Sequence, residues 1–565
     1  MHLDRGDWRH RLGLFALCVL VLGSALGSRD PWHIDEVRFV GIALEMLQRG
    51  EFWVPHRAGE MYADKPPIFF WVLATLFKIT DSVRWSFLLP AFISGVITVQ
   101  LIYDLGTRLW QRRVGLVAAV LLILTYQFWR SCTYANIDGF LLMWPTLAVY
   151  GFTRHLLSGN DARWFYLGFA AIAIGILSKG VGFLPLLIVI PYAIQRVRGL
   201  RIANYSVAKI NARQWGAGIV LLLLLLATWL LPLLWMAQTG TGDLRAYLDN
   251  ILFRQTAGRY ANAWQHREPF WFFLTSIPKY WAPLSLLLPW LLPVWWRRLR
   301  RGDSRYVLLL GWALLVLLFF SASSGKREIY MLPALPALAL AAAPALSVML
   351  RKRWLNRAAL VGALLLIAVP ALVAVLRLTA LLPRSPLNAW PLTAAYVLLI
   401  LAAVNMLLFV ALRRYPQVLR FCAVYAFAIA FFHKGVMPTM NASEAGVDTI
   451  AAVSAAAPAP LVYVQWNERT WLYSRAAFVH NGISTAKPEC AAMQWSLTHP
   501  DSHWLLRAPD ATRLGLAAGP TFASGDKKPW MVTLGAAAIA GCESASGPRY
   551  HFQWQAEALR RLHPR

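Results

Sequence analysis

Carboxylates are scarce in this chain, so their placement is chemically informative. Asp35 and Glu36 stand side by side in WHIDEVRFVGIALEMLQRG, and Asp64-Lys65-Pro66-Pro67 follows soon after. A carboxylate held at a surface can orient or deprotonate an acceptor, or stabilise positive charge on a reacting carbon. A lysine beside a rigid Pro-Pro pair can contact a lipid-linked phosphate. Asp138 lies at the border of an apolar run, where a carboxylate is costly unless paired. Each group also has a plainer reading. Asp35 suits an N-cap, with Glu36 favoured by the helix dipole. Lys65 suits an interface anchor with its stem in apolar surroundings. Asp138 suits a solvated helix cap.

The elements that hold these groups follow from composition. Of 565 residues 58% are hydrophobic and 15% charged, and mean hydropathy is +0.49. Lys+Arg is 55 against Asp+Glu 27, a formal net charge of +28. A soluble globular protein does not hide that much apolar surface, and a disordered chain does not carry it. The basic residues are scattered between apolar runs rather than gathered on one polar domain, which argues against nucleic acid as a partner. The chain reads as a polytopic α-helical membrane protein.

Apolar runs predict spans near 12–28, 84–104, 114–129, 139–153, 164–178, 180–195, 215–236, 270–296, 306–321, 329–350, 358–380, 391–412 and 418–437, ~13 transmembrane helices by the ~20-residue criterion. Arg108, Arg112 and Arg113 share one turn between them. Further basic turns hold Arg196, Arg198, Arg201, Lys209 and Arg213, then Arg297 to Arg305, Arg351 to Arg357, and Arg413 to Arg420. These turns recur after every second helix, as cytoplasmic loops do under the positive-inside rule. An odd helix count then places the C-terminus outside, in the periplasm of a bacterial inner membrane.

On this topology residues 1–437 form a transmembrane domain and 438–565 a small soluble α/β domain in the periplasm, with strand-like runs such as Leu461–Trp466. Residues 29–83 form the first outside loop and 237–269 a second. The first loop holds eight of the acidic residues: Asp30, Asp35, Glu36, Glu45, Glu51, Glu60, Asp64 and Asp81. Val37, Val40, Leu44 and Leu47 recur at helical spacing after Asp35 and Gly50 stops the pattern, which predicts an amphipathic interfacial helix. The apolar stretch 67–80 is too short to span and belongs in the interface or re-enters.

An outside loop with Asp-Glu on an amphipathic helix, followed by acid-Lys-Pro, resembles the aminoarabinose (4-amino-4-deoxy-L-arabinose) lipid A transferases and the wider protein-O-mannosyltransferase-like superfamily. The segments YANIDGFLLMWPTLAVYGF, GILSKGVGFLPLL, AWQHREPFWFFL and SSGKREIYMLPALPALAL look like further elements of that family, in order. The family often has Glu-Lys-Pro where this chain has Asp64-Lys65-Pro66, and the shorter side chain weakens any metal contact there. The resemblance implies a GT-C fold and transfer of a sugar from undecaprenyl phosphate to an acceptor such as a lipid A phosphate. It implies no nucleotide cofactor.

That reaction needs cations for the leaving phosphate, a carboxylate for the acceptor or the sugar, and an apolar groove for the isoprenoid. The expected cations are Lys65 and Arg267, then Lys179, Lys326, Arg254 and Arg259, with snorkelling as the plainer reading of the last two. Tyr330 is expected to meet a phosphate or sugar hydroxyl, or to be an interface aromatic. Asp35 leads the catalytic carboxylates, with Asp138 and Glu36 after it. Asp64 and His266 are the candidate ligands for a divalent metal such as Zn, although two donors do not make a specific set. Cys490 and Cys542 are placed to form a disulfide if the domain is periplasmic. Three other readings stay open: a related polyprenyl-phosphate-sugar transferase with another acceptor, an ion-coupled secondary transporter, and a non-catalytic envelope scaffold. A transporter would place its charges mid-span, whereas here they crowd one face.

Overall fold

The structure is a computed structural model that describes residues 7–157, 161–197, 210–240, 242–253, 266–381, 391–445, 447–456, 461–475, 477–482, 487–522, 530–534, 539, 542 and 547–562. Arg198, Arg201, Lys209, Arg254 and Arg259 lie outside the described residues. The chain divides into two compact units, Met1–Leu26 with Ala63–Phe69 and Leu88–Val436, and Gly27–Tyr62 with Phe70–Phe87 and Met437–Arg565.

The first unit is helical. Among the described residues nine helices are long and apolar enough to cross a membrane, or ten if the bent pair Arg112–Leu124 and Tyr126–Cys132 counts as one span. The remaining expected spans are shorter or broken. Met143–Leu157 has 15 residues and Ala162–Ser178 has 17. The stretch 270–296 splits into Phe272–Tyr280, a 3-10 turn at Ser285–Leu287 and Leu288–Arg300. Pro283 lies in the break and cannot donate to a continuing ladder, and Pro289 opens the last helix, whereas Pro278 and Pro293 sit inside helices that continue past them. Ile68–Thr80 is a helix of 13 residues, about 20 Å long and too short for a ~30 Å hydrocarbon core.

Small residues let these helices approach closely. A Cβ on Gly106 would sit 2.7 Å from the Gly115 Cα, and one on Gly182 2.0 Å from the Gly175 carbonyl carbon. Charges at the helix ends are matched. Arg11 bonds Asp7 at 2.7 Å and Asp104 at 2.6 Å, and Asp7 and Asp104 accept from the Tyr103 and Tyr150 hydroxyls at 2.7 and 2.6 Å. This network ties together Asp7–Val21, Leu89–Leu109 and Met143–Leu157.

The second unit corrects the expected domain boundary. The loop 29–83 does not belong wholly with the spans: Gly27–Tyr62 and Phe70–Phe87 form one unit with the C-terminal segment. The reason is packing. Gly41 on the helix Ile34–Arg49 lies flat against the Trp471 ring, where a Cβ would come within 2.5 Å. The hairpin β1 (His56–Arg57) and β2 (Glu60–Met61) follows that helix. The C-terminal part is an α/β sheet of six strands: β3 (Leu461–Tyr463), β4 (Phe478–His480), β5 (His503–Arg507), β6 (Thr521–Phe522), β7 (Trp530–Leu534) and β8 (Tyr550–Phe552). Their order is β6-β7-β5-β3-β4-β8, with β3 parallel to β4 and β5 and the other pairs antiparallel. The run expected as a strand to Trp466 ends at Tyr463.

Cys490 and Cys542 are bonded, closing a loop across a sequence separation of 52. Replacing both by Ser is expected to lower the stability of this unit by about 2–4 kcal/mol, read by thermal unfolding without reductant.

The turn Ala58–Gly59 is held from two sides. Glu45, fully buried, accepts from the Ala58 and Gly59 N–H groups at 2.7 and 2.8 Å, and the His480 Nε2 lies 2.9 Å from the Ala58 carbonyl. Burial pushes the Glu45 carboxyl up to about 7 and the His480 imidazole down to about 4. The signs oppose. Glu45 retains its proton in the folded state and loses stability as pH rises from its unfolded value through about 7. His480 stays neutral in the folded state and gains stability as pH rises from about 4 through its unfolded value. The wild-type profile should therefore be nearly flat between them. His480→Gln keeps a donor for Ala58 and removes one arm, so stability should fall by about 3 kcal/mol between pH 5 and 7.5. A flat profile in that variant would refute the assignment.

Candidate functional site

The helical unit builds a site around Asp138. Asn136, not Asp138, caps the short helix Ile137–Leu141, accepting from the Gly139 N–H at 2.6 Å. That frees Asp138 to accept from the Lys179 Nζ at 2.6 Å, with both side chains 14% exposed. Lys179 ends the helix Ala162–Ser178 in extended backbone, which turns its side chain back. Its ammonium lies 4.9 Å from the centre of the Tyr330 ring. The plainer readings of Asp138 as a helix cap and Tyr330 as a lone interface aromatic therefore give way to a linked group of three.

Sequence inspection missed two neighbours of this group. Tyr330 rides on the 3-10 segment Glu328–Ala334, whose Glu328 lies 3.9 Å from Arg130. Gln127 donates to the Glu328 carbonyl at 2.6 Å and accepts from the Trp281 indole. Arg130 is followed by an Asn-capped helix and Glu328 stands two residues before Tyr330, but no local pattern links two residues so far apart in sequence. The Arg130 side chain is 41% exposed, which leaves a cation beside the site.

The next segment is fastened by Lys326. Its Nζ donates to the Glu268 and Ser323 carbonyls at 2.8 and 2.6 Å, and its N–H donates to the His266 carbonyl at 2.9 Å. Lys326 is 4% exposed, and burial lowers its pKa. The expected phosphate cation is thus a brace that holds the 266–268 strand against 324–326. Arg267, paired with Gly325 through an isolated antiparallel bridge, presents an exposed side chain. His266 is exposed at a φ of 57°, a left-handed conformation that non-glycine residues rarely adopt. Lys65 is half-buried, and its Nζ donates to the Asp64 carbonyl at 3.0 Å.

Asp35, Glu36 and their neighbours lie in the second unit. His33 is the N-cap of Ile34–Arg49, so the cap reading of Asp35 is corrected. Asp35 stands 3.6 Å from Arg38 on the same helix and is 26% exposed. Arg38 in turn bonds Glu468 at 2.8 Å, and Arg57 bonds the same carboxylate at 3.1 Å. Burial works against the Arg38 charge, but Glu468 outweighs it and raises the guanidinium pKa above its ordinary value. The spacing Asp35–Arg38 signals a same-face pair. Glu468 carries no local signal.

Glu36, which the sequence offers as a further carboxylate or as the partner of a nearby cation, is paired with Arg29. Its carboxylate is fully buried and takes both Arg29 guanidinium donors at 2.6 Å. The N–H groups of Trp32 and His33 approach it at 3.4 Å, and Arg29 lies over the Trp32 ring at 4.7 Å. Among the described residues no three His, Cys, Asp or Glu side chains converge as a metal donor set, and Asp64 and His266 belong to none.

The helical unit supplies exposed or half-exposed cations at Lys65, Arg130 and Arg267, an aromatic hydroxyl at Tyr330, and a carboxylate at Asp138 held by Lys179. Such an arrangement can bind an anionic leaving group and steady positive charge on a carbon.

The profile of the family described as dolichyl-phosphate-mannose-protein mannosyltransferase matches residues 64–231. A protein of Pseudomonas aeruginosa (strain UCBPP-PA14), named undecaprenyl phosphate-alpha-4-amino-4-deoxy-L-arabinose arabinosyl transferase, is 31% identical over 408 residues, covering 71% of this chain and 70% of that one. A protein of the same name from Pseudomonas savastanoi pv. phaseolicola is 29% identical over 346 residues, covering 60% and 62%. With several such relatives the chain spans under two thirds of their length, 62%, 55% and 58% in three cases. The crystal structure of ArnT from Cupriavidus metallidurans bound to undecaprenyl phosphate superposes with a TM-score of 0.72 at 19% identity, over 97% of this chain and 100% of that one. The archaeal oligosaccharyltransferase AglB from Archaeoglobus fulgidus superposes with a TM-score of 0.51 at 13% identity, over 88% and 70%. At these identities the likeness establishes the fold, a membrane protein of the GT-C type.

Proposed function

The chain belongs to the family of undecaprenyl phosphate-α-4-amino-4-deoxy-L-arabinose arabinosyl transferases, and from that membership we propose that it is a glycosyltransferase of the bacterial inner membrane, moving 4-amino-4-deoxy-L-arabinose from undecaprenyl phosphate to a lipid A phosphate. The match over 408 residues to a relative of that name carries the reading. The basic turns after every second helix support a cytoplasmic side, thirteen crossings, and a site and C-terminal domain on the periplasmic side.

In the proposed step an acceptor phosphate oxygen forms the new bond to the anomeric carbon as the bond to the undecaprenyl phosphate oxygen breaks, and undecaprenyl phosphate departs as the anion. Lys65, Arg267 and Arg130 are the cations for the donor phosphate, whose charge grows in the transition state. Lys179, neutralised by Asp138, positions the Tyr330 ring and its hydroxyl. Asp35, 3.6 Å from Arg38, is the carboxylate we assign to steadying the developing positive charge on the sugar. A phosphate acceptor is already anionic and needs no strong base.

Reconstituted protein given undecaprenyl-phosphate-linked aminoarabinose and lipid A should yield lipid A heavier by one aminoarabinose per phosphate, read by mass spectrometry. Folded protein that transfers no sugar to any acceptor would refute the enzyme reading. Transfer to another lipid, but not to lipid A, would refute the acceptor alone.

A further inference from the structure

The loop after β3 contains a feature that the transfer reaction does not use. Val464, Gln465 and Trp466 leave the sheet and, with residues 480–482 after β4, line a cavity of about 250 Å³. The cavity opens where the carboxyl ends of two parallel strands meet. From β3 the chain crosses to β4 on one side, and from β4 it crosses back to β5 on the other. The switch point of this reversal falls between β3 and β5, so the cavity lies one strand to its side, beyond the carboxyl ends of β3 and β4.

The walls define the chemistry. No residue that lines the cavity carries charge at neutral pH. The two nitrogens of His480 are already engaged, Nε2 with the Ala58 carbonyl at 2.9 Å and Nδ1 with the Gly482 N–H at 3.1 Å. Burial keeps this imidazole neutral, with its pKa down at about 4. Among the described residues the lining itself offers an anionic ligand no cation and a cationic one no carboxylate, and Arg57, 6.0 Å from the centre of the Trp466 ring, is held by Glu468 at 3.1 Å. Gln465 is fixed at both ends, donating to Asp510 at 2.7 Å and accepting from the Arg507 N–H at 3.2 Å. Trp466 is half-buried, its ring tilted at 47° to that of His480 5.3 Å away and at 42° to that of Trp471 5.7 Å away. Asn481 adds a second amide.

A flat indole flanked by fixed amides in an uncharged pocket matches one chemical class, a ring with an apolar face and a rim of hydroxyls. We propose that this cavity binds a neutral pyranose. The site stands apart from the transfer reading, since it is built from the α/β sheet alone.

Saturation-transfer NMR on the full-length protein in detergent, with methyl α-glucoside, methyl α-galactoside and methyl α-mannoside as probes, tests it. At least one should bind. Trp466→Leu and Asn481→Ala should each weaken binding about fivefold or more, the loss of one aromatic face or one hydrogen bond. The second variant keeps the test decisive if the first disturbs the sheet. Glucose 1-phosphate should bind more weakly than the glucoside. A neutral glycolipid in micelles that outcompetes its free headgroup sugar would identify a lipid-borne ligand, and equal competition a free one. The proposal is overturned if no neutral pyranoside binds folded wild type, if both variants bind as wild type does, or if the phosphate ester binds best. These results are independent of whether sugar transfer is detected.

Discussion

Asp35→Asn should lower kcat for sugar transfer by about 10²–10³-fold with little change in KM for the donor, the size expected when one electrostatic stabiliser of a transition state is lost. Asn has nearly the shape of Asp and keeps one oxygen toward Arg38, so the fold should be unchanged. What disappears is a negative charge 26% exposed on the first turn of an otherwise buried helix. The acceptor decides the upper bound. With a phosphate acceptor the loss should stop at this range. With a hydroxyl acceptor Asp35 would also serve as base, and the loss should extend toward about 10⁴-fold. Initial rates with both acceptor types, on protein whose melting temperature matches wild type, separate these cases. A variant within about threefold of wild type on every acceptor would remove Asp35 from the chemistry.

Glu36→Ala should have the largest effect on stability, about 3–5 kcal/mol, because it strands the Arg29 guanidinium in a buried site with neither of its two carboxylate bonds. The Arg29 side chain is 5% exposed and the Glu36 side chain 0%, so water cannot replace the missing partner without local opening. The paired change Arg29→Met with Glu36→Leu should recover most of the loss, since it removes both charges and fills the space. Unfolding followed by near-UV circular dichroism, with singles and the double compared, checks the coupling. Additive losses in the double would show that the two residues act separately.

The spans were legible because an apolar run of about 20 residues has few alternatives, and basic turns punctuate it. The reading failed where spacing stops being local. A break around Pro283 divides 270–296 into pieces that hydropathy averages over. The Asp35 cap gave way to His33, a residue outside the preferred capping set. Asp138 and Lys179 were each suspect from sequence, but their pairing across 41 positions was not visible. Glu36 reads from sequence as structural or as the partner of a cation, but nothing local names Arg29 as that cation. The bonds from Lys326 to the Glu268 and Ser323 carbonyls likewise carry no local signal.

The pairing of Arg38 with Glu468 spans 430 positions, and the Gly41 face waits for Trp471 from the same distant segment. Synthesis runs from the N-terminus at about 5–20 residues per second, so the helix Ile34–Arg49 exists for about 20–90 s before its partners emerge. During that interval two arginines and a flat glycine face lack the carboxylate and indole that later cover them, while the ribosome threads nearly every membrane span. The second unit is therefore closed last, by the end of the chain, and a nascent protein truncated before Glu468 carries this helix without those partners.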